Sequence, residues 1–252
     1  MIKLIQITDT HLTHPPGSSF KGRDPAFFLE RALIDVADQH PDAHALLLTG
    51  DLVHDDPRAY DPIASLVERW FFGPHSSAKP VLVLPGNHDV KEGVTALQKQ
   101  LWDVSEPVLT FHDWSVIGID STEPPHAHGR IHDAEIERVR ARLSHADSPH
   151  VLAALHHPPL PIGSAWMDEI GLKNSPALWA ALTDPRLRGV VHGHIHQPFY
   201  GVHHGVPVWG TPSSVWQFKV GDDYGLDEQR LGAYRWMVLD AQGGIHTELA
   251  WV

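Results

Sequence analysis

Five short polar clusters in this chain each follow an apolar run. "LIQITDTH" delivers Asp9 and His11, "ALLLTGD" delivers Asp51, and "VLVLPGNHD" delivers Asn87 and His88. "VLAALHH" delivers His156 beside His157, and "GVVHGHIH" delivers His194 and His196. Carboxylate, imidazole and amide groups are nitrogen and oxygen metal donors, and with no cysteine in the chain there is no thiolate site. Any one cluster alone reads as a polar turn or a helix cap. Their joint placement argues for chemistry. In an open α/β sheet the ends of parallel strands form the ligand crevice, so five polar tips in an order compatible with one sheet would meet in one place. Asp9 and His11 are two residues apart, as are His194 and His196. Along an extended backbone such residues point the same way, so each pair can aim two donors into one pocket. Gly50, Gly86 and Gly193 stand directly before donors, where a tight turn or a close backbone approach is needed.

The set Asp9, His11, Asp51, Asn87, His156, His194 and His196 is too large for one tetrahedral zinc. It suits two metal ions with Asp51 between them. Two metals roughly 3.5–4 Å apart clamp both the attacking and the leaving oxygen of a phosphoryl displacement. Nitrogen and oxygen donors without sulfur favour manganese, iron or zinc over magnesium. His156 is first after its strand, but a shift by one to His157 stays open from position alone. Asp55 and Asp120 are candidates for orienting a ligating histidine or for simple loop positions.

The elements that must hold these donors are legible from periodicity. Strands are expected at 2–8, 45–49, 81–84, 108–111, 115–119, 151–155, 189–191, 207–209, 234–239 and 246–251. Helices are expected at 25–38, 60–71, 94–101, 133–144 and 175–182. The early strand–helix alternation implies a parallel sheet with crossover helices. The later crowding of short strands implies antiparallel additions, hence a mixed sheet or two packed sheets. No repeat, low-complexity tract or linker divides the chain, so residues 1–252 are read as one domain.

The chain's 252 residues are enough for a substantial core, with 42% hydrophobic and 20% charged residues. A formal charge of −12 argues against binding a nucleic acid polymer, because phosphate affinity rests on Lys and Arg. Its 21 histidines, alongside many aspartates, equip it for nitrogen and oxygen ligation. The apolar runs are strand-length, far short of a membrane span. The opening "MIKLIQITD" enters a strand without a signal-peptide pattern. Together with the absence of disulfides, this points to a cytoplasmic address. Net acidity suits a monomer or a homodimer.

The motifs Asp9-Thr10-His11, Gly50-Asp51-Leu52-Val53-His54-Asp55, Gly86-Asn87-His88-Asp89, His156 and Gly193-His194-Ile195-His196 resemble, in that order, those of the calcineurin-like metallophosphoesterases. The five-block pattern is highly specific and spans nearly the whole chain. It implies an α/β fold, a four-layer αββα sandwich of two mixed β-sheets flanked by helices, with a binuclear metal centre. The stretches "GDLVHDDPRAY", "HHPPLPIGSAWMDEIGLKN", "GHIHQ" and "GTPSSVWQFK" are similar to those of bacterial class III 3′,5′-cyclic AMP phosphodiesterases. "QPFYGVHHG" and "VGDDYGLDEQRLGAYRW" are segments where such enzymes vary.

Carried over by position, the resemblance implies one metal on Asp9, His11 and His196, a second on Asn87, His156 and His194, and Asp51 as the bridge. His88 and Asp89 form the catalytic pair, with His88 off the metals facing the phosphate and Asp89 behind it. His11, Asn87, His88 and His196 are the residues that meet the substrate. The implied cofactors are two divalent or trivalent ions, iron or manganese first and zinc next. The implied reaction is hydrolysis of 3′,5′-cyclic AMP to 5′-AMP by a metal-bridging hydroxide, which lowers a cyclic nucleotide signal. The alternative is a broader phosphodiesterase acting on 2′,3′-cyclic nucleotides or glycerophosphodiesters. Trp166, Asn174, Trp216 and Phe218 are candidates for contact with the base, or are simply core.

Overall fold

The computed structural model describes residues 1–73, 78–145 and 147–252. Its strands are β1 (Ile2–Ile7), β2 (Ala45–Thr49), β3 (Val81–Leu84), β4 (Val108–Thr110), β5 (Trp114–Ile119), β6 (His150–Leu155), β7 (Leu187–His192), β8 (Phe199–His203), β9 (Val206–Gly210), β10 (Gln217–Phe218), β11 (Leu226–Asp227), β12 (Ala233–Leu239) and β13 (Ile245–Trp251). Its helices are α1 (Pro25–Gln39), α2 (Tyr60–Leu66), α3 (Lys91–Leu101), α4 (Asp133–His145), α5 (Ala165–Asp168) and α6 (Ser175–Ala181).

Period-two alternation decides the layering. In β2, Leu46 and Leu48 face the helices while Ala45 and Leu47 face the opposite sheet. The first sheet runs β13-β12-β1-β2-β3, with β1, β2 and β3 parallel. The second runs β4-β5-β6-β7-β9-β8, with β5, β6, β7 and β9 parallel. Both are mixed sheets. Leu47, Leu82, Trp114, Val116, Leu152, Val191 and Met237 form the core between them. On the outer faces, residues from α1, α2 and α3 pack on the first sheet and residues from α4 and α6 on the second. The result is the four-layer sandwich.

Helix α1 shows how local sequence sets an element. Asp24 accepts hydrogen bonds from the N–H groups of Ala26 and Phe27, and Pro25 occupies the first turn. Leu29, Ala32, Leu33 and Val36 then recur at helical spacing on the buried face. The helix expected over 60–71 begins as α2, but Val67–Phe72 continues it as a π-helical turn that buries Val67 and Phe71. Strand β8 is unforeseen, as are the two-residue strands β10 and β11. Among the described residues no helix is long and apolar enough to cross a membrane.

Candidate metal centre

The donors lie beyond the C-terminal ends of strands from both sheets. β1, β2 and β3 bring Asp9, His11, Asp51, Asn87 and His88, while β6 and β7 bring His156, His194 and His196. The single-sheet crevice is therefore corrected: the tips converge because the two sheets pack face to face. The route also differs from an extended backbone. Asp9, His11, Asp51, His194 and His196 have φ of 52°, 45°, 50°, 69° and 48°. The i, i+2 pairs thus converge through left-handed turns, a conformation that Asp and His tolerate better than most residues and that clusters at functional sites.

Backbone pairing holds these turns. Past β1 and β2 the chain stays paired, with Asp9 N–H donating to Gly50 C=O and His11 N–H to Asp51 C=O, each at 2.9 Å. A Cβ on Gly86 would stand 2.2 Å from Asp51 N, and one on Gly193 would stand 2.1 Å from Thr8 Oγ1. Both glycines are there because another loop runs directly against them.

Asp9 Oδ2 accepts from Thr8 Oγ1 at 2.7 Å and from His194 N–H at 3.0 Å. That leaves Oδ1, which lies 3.2 Å from His196 Nε2. His11 Nε2 is 3.1 Å from His196 Nε2. Asp51 Oδ1 accepts from His88 N–H at 2.8 Å, and its Oδ2 stands 3.7 Å from His11 Nε2 and 3.5 Å from His156 Nε2. His194 Nδ1 is 3.2 Å from His156 Nε2. Asn87 Oδ1 and His194 Nε2 are buried without a hydrogen-bonding partner among the described residues.

Carbonyl oxygens fix two tautomers. His156 Nδ1 is 2.9 Å from Thr49 C=O, and His196 Nδ1 is 3.0 Å from Trp216 C=O. A carbonyl only accepts, so Nδ1 carries the proton and the neutral ring turns the lone pair of Nε2 inward. His157, one residue on, faces Ser121 Oγ through Nδ1 at 2.8 Å and Ala127 C=O through Nε2 at 3.2 Å. Both of its nitrogens are engaged away from Asp51.

The electrostatics suit a bound cation. Burial holds the imidazoles of His11 and His194 well below their ordinary pKa, which keeps them neutral as ligands require. Burial alone would raise Asp51, yet the neighbouring His156 and His11 hold it well below the usual carboxylate range. Burial opposes charge on His156 as well, but Asp51 pushes it up to about 9. Positive charge between these two groups is favoured. Among the described residues four donor groups lie close enough to share an ion: Asp9 with His11 and His196, Asp9 with Asp51 and His156, His156 with His157 and His194, and His11 with His54 and His88.

His88 stands beside this cage, half-buried, with Nδ1 3.1 Å from Asp55 Oδ1. Asp89 has a different setting. Its carboxylate accepts from the N–H groups of Leu52, Val53 and Gly86 at 3.1, 3.2 and 2.9 Å and from Tyr60 Oη at 2.9 Å. Burial and then Asp51 push its carboxyl up to about 6. Asp89 ties the loop after β3 to the loop after β2 and does not face the cavity with His88. Asp120 caps its own turn through Thr122 and lies 3.7 Å from Lys91. Asn174 spends both ends of its amide on the backbone of Ile131.

Three aromatic residues touch the cage: His54, to which the motifs assign no role, and Trp216 and Phe218, candidates for contact with the base or for the core. His54 places Nδ1 3.3 Å from His11 Nδ1 and lies tilted against His88 at 4.4 Å between centroids. Trp216 stacks on His11 at 5.1 Å and Phe218 on His196 at 4.5 Å. His54 falls inside "GDLVHD", so its nearness to Asp51 was visible, but its contact with His11 depends on the pairing of two loops.

A buried cage of imidazoles and carboxylates at strand ends of an αββα sandwich defines a metal-dependent hydrolase site. The family model for calcineurin-like phosphoesterase matches residues 2–198, and the chain belongs to that family. It is 33% identical to a Vibrio vulnificus 3′,5′-cyclic adenosine monophosphate phosphodiesterase CpdA, over 98% of this chain and 89% of that one. The CpdA of Pseudomonas aeruginosa is 32% identical over 99% of this chain and 89% of its own length. A dimetal phosphatase from Danio rerio shares the fold, with a TM-score of 0.64, 12% identity and 94% of each chain covered.

Proposed function

We propose that this protein hydrolyses 3′,5′-cyclic AMP to 5′-AMP at a binuclear metal centre. Near-full-length similarity to the CpdA enzymes supports the substrate. The observation that carries the chemistry is Asp51 Oδ2, set between inward-facing nitrogens of His11 and His156 at 3.7 and 3.5 Å. Asp9, His11 and His196 would hold one ion and Asn87, His156 and His194 the other, with Asp51 shared. His156 is preferred to His157 because its Nε2 faces Asp51 and His194, whereas both nitrogens of His157 are turned to Ser121 and Ala127. Iron and manganese suit this oxygen and nitrogen set, with zinc next. Such ions supply a water nucleophile at neutral pH and neutralise charge on the phosphoryl oxygens.

The remaining work falls to the chain's own groups. His88 faces the phosphate and gives a proton, or positive charge, to the departing ribose 3′ oxygen, a role typically worth ~10²–10⁴-fold. Asp55 accepts from Nδ1 of His88 and leaves Nε2 for the substrate. His11, Asn87 and His196 border the same phosphate. Asp89 positions the loop that carries Asn87 and His88. Phe218, half-buried, offers a ring to a purine, where stacking is worth ~1–3 kcal/mol per base, while the buried Trp216 backs His11. A cysteine-free composition suits a cytoplasmic enzyme acting on a signalling nucleotide.

The test is turnover by metal-stripped protein reloaded with Mn²⁺ or Fe²⁺. Its substrates are 3′,5′-cyclic AMP, 2′,3′-cyclic AMP and bis(p-nitrophenyl) phosphate, with products separated chromatographically. Conversion of 3′,5′-cyclic AMP to 5′-AMP at an efficiency matching or exceeding the other two is expected. Cleavage of the other diesters alone would overturn the substrate and keep the centre.

A further inference from the structure

We propose that Lys21 is a substrate-capturing cation, a specificity-determining residue that draws the anionic diester to the metal centre. The loop from Thr13 to Arg23 meets the segment from Val215 to Arg230 beside the cage, Phe20 packing against both His54 and Trp216. Arg23 joins them, its guanidinium donating to the carbonyls of Val215, Glu228 and Arg230 at 2.5, 3.1 and 3.0 Å. Lys21 stands on the rim so formed. Its Nζ is 5.4 Å from the ring centroids of Phe20 and Trp216, 5.7 Å from Phe218 and 5.6 Å from Tyr224. It donates to Tyr224 Oη at 3.2 Å.

Cation–π attraction from several rings and one hydrogen bond keep an exposed ammonium in one place. Three of those rings touch histidines of the cage or its border. Trp216 stacks on His11, Phe218 on His196, and Phe20 packs against His54 at 4.1 Å. The charge of Lys21 therefore stands one ring away from the donors.

Among the described residues Lys21 has no carboxylate within ion-pair distance, so its charge is not spent on a partner. The surroundings give that charge a purpose. The chain carries a formal charge of −12, and Asp9, Asp51 and Asp55 lie at the site. These carboxylates disfavour the approach of a diester anion, and a cation fixed beside the cage offsets part of that repulsion.

This inference uses the phosphodiesterase reading only in taking the substrate to be an anionic diester. Lys21→Met, Lys21→Arg and Lys21→Glu are compared with the parent enzyme, all metal-loaded, from low ionic strength to high salt. The substrates are 3′,5′-cyclic AMP and bis(p-nitrophenyl) phosphate. Lys21→Met is expected to lower kcat/KM about three- to tenfold at low salt, through KM with kcat kept, and the deficit is expected to close at ~0.5 M NaCl. Lys21→Glu should deepen it and Lys21→Arg should restore it. Unchanged KM for Lys21→Met at low salt overturns the proposal, as does a deficit that salt does not alter. If only bis(p-nitrophenyl) phosphate is turned over, the cyclic AMP reading fails while the salt series on that ester still decides Lys21.

Discussion

His196 Nε2 stands 3.2 Å from Asp9 Oδ1, while His196 Nδ1 faces the carbonyl of Trp216 at 3.0 Å. In the neutral ring this sets a nitrogen lone pair against a carboxylate oxygen. A positive charge there, whether a metal ion between them or a proton on Nε2, makes that arrangement favourable. The same logic holds at His156, whose Nδ1 is turned to Thr49 C=O and whose Nε2 faces Asp51.

Adjacent histidines should therefore behave differently. His156→Ala is expected to lose bound metal and activity together. His157→Ala is expected to keep both ions but to lose about 2–4 kcal/mol of stability, since Ser121 and Ala127 lose a buried partner. Metal analysis by plasma mass spectrometry and denaturant unfolding separate the two. Metal loss in His157→Ala with retention in His156→Ala would reverse the assignment.

His88→Ala should retain the metals and lower kcat by ~10²–10⁴-fold. Asp55→Asn should show a smaller loss in the same direction, because Nδ1 of His88 is then less firmly oriented. The check is metal content beside kcat for each variant. Depleted metal in His88→Ala would make it a ligand.

Gly86→Ala puts a methyl group 2.2 Å from both the backbone nitrogen and Oδ1 of Asp51. Neither can move without disturbing the cage. A loss of about 3 kcal/mol or more is expected in denaturant unfolding, with weaker metal binding. A variant as stable as its parent would mean that the two loops separate easily.

Far from the centre, the Arg186 guanidinium holds the Asp184 carboxyl below the usual carboxylate range. A depressed folded-state pKa gives stability that is present above about pH 4 and is lost as pH falls through the folded value. Asp184→Asn should be less stable than its parent at pH 7, by no more than about 1 kcal/mol because the pair is partly exposed. The difference should shrink as pH falls below about 4. Thermal melts across that range read the sign directly.

The donors were legible because each follows a strand-length apolar run, a pattern that survives without coordinates. The strands of both sheets except β8 were legible for the same reason, with ends shifted by one or two residues. The division of the donors between sheets was not, since apolar strands buried on both faces do not say which sheet they join. Strand β8 was hidden because Phe199–His203 pairs only with β9 at an edge and carries few apolar residues facing inward. The left-handed turns at Asp9 and His194 were hidden because Asp and His tolerate that backbone without requiring it. Asp89 sits in the same "GNHD" as His88, and only the packing of Tyr60 and the Leu52–Val53 backbone distinguishes its task.

A metal titration of stripped protein, with 3′,5′-cyclic AMP turnover followed at each step, bears most directly on the binuclear centre. Activity should rise to its plateau as the second equivalent of Mn²⁺ or Fe²⁺ is bound. Full activity at one equivalent, or in the stripped protein, would contradict a shared Asp51 between two ions.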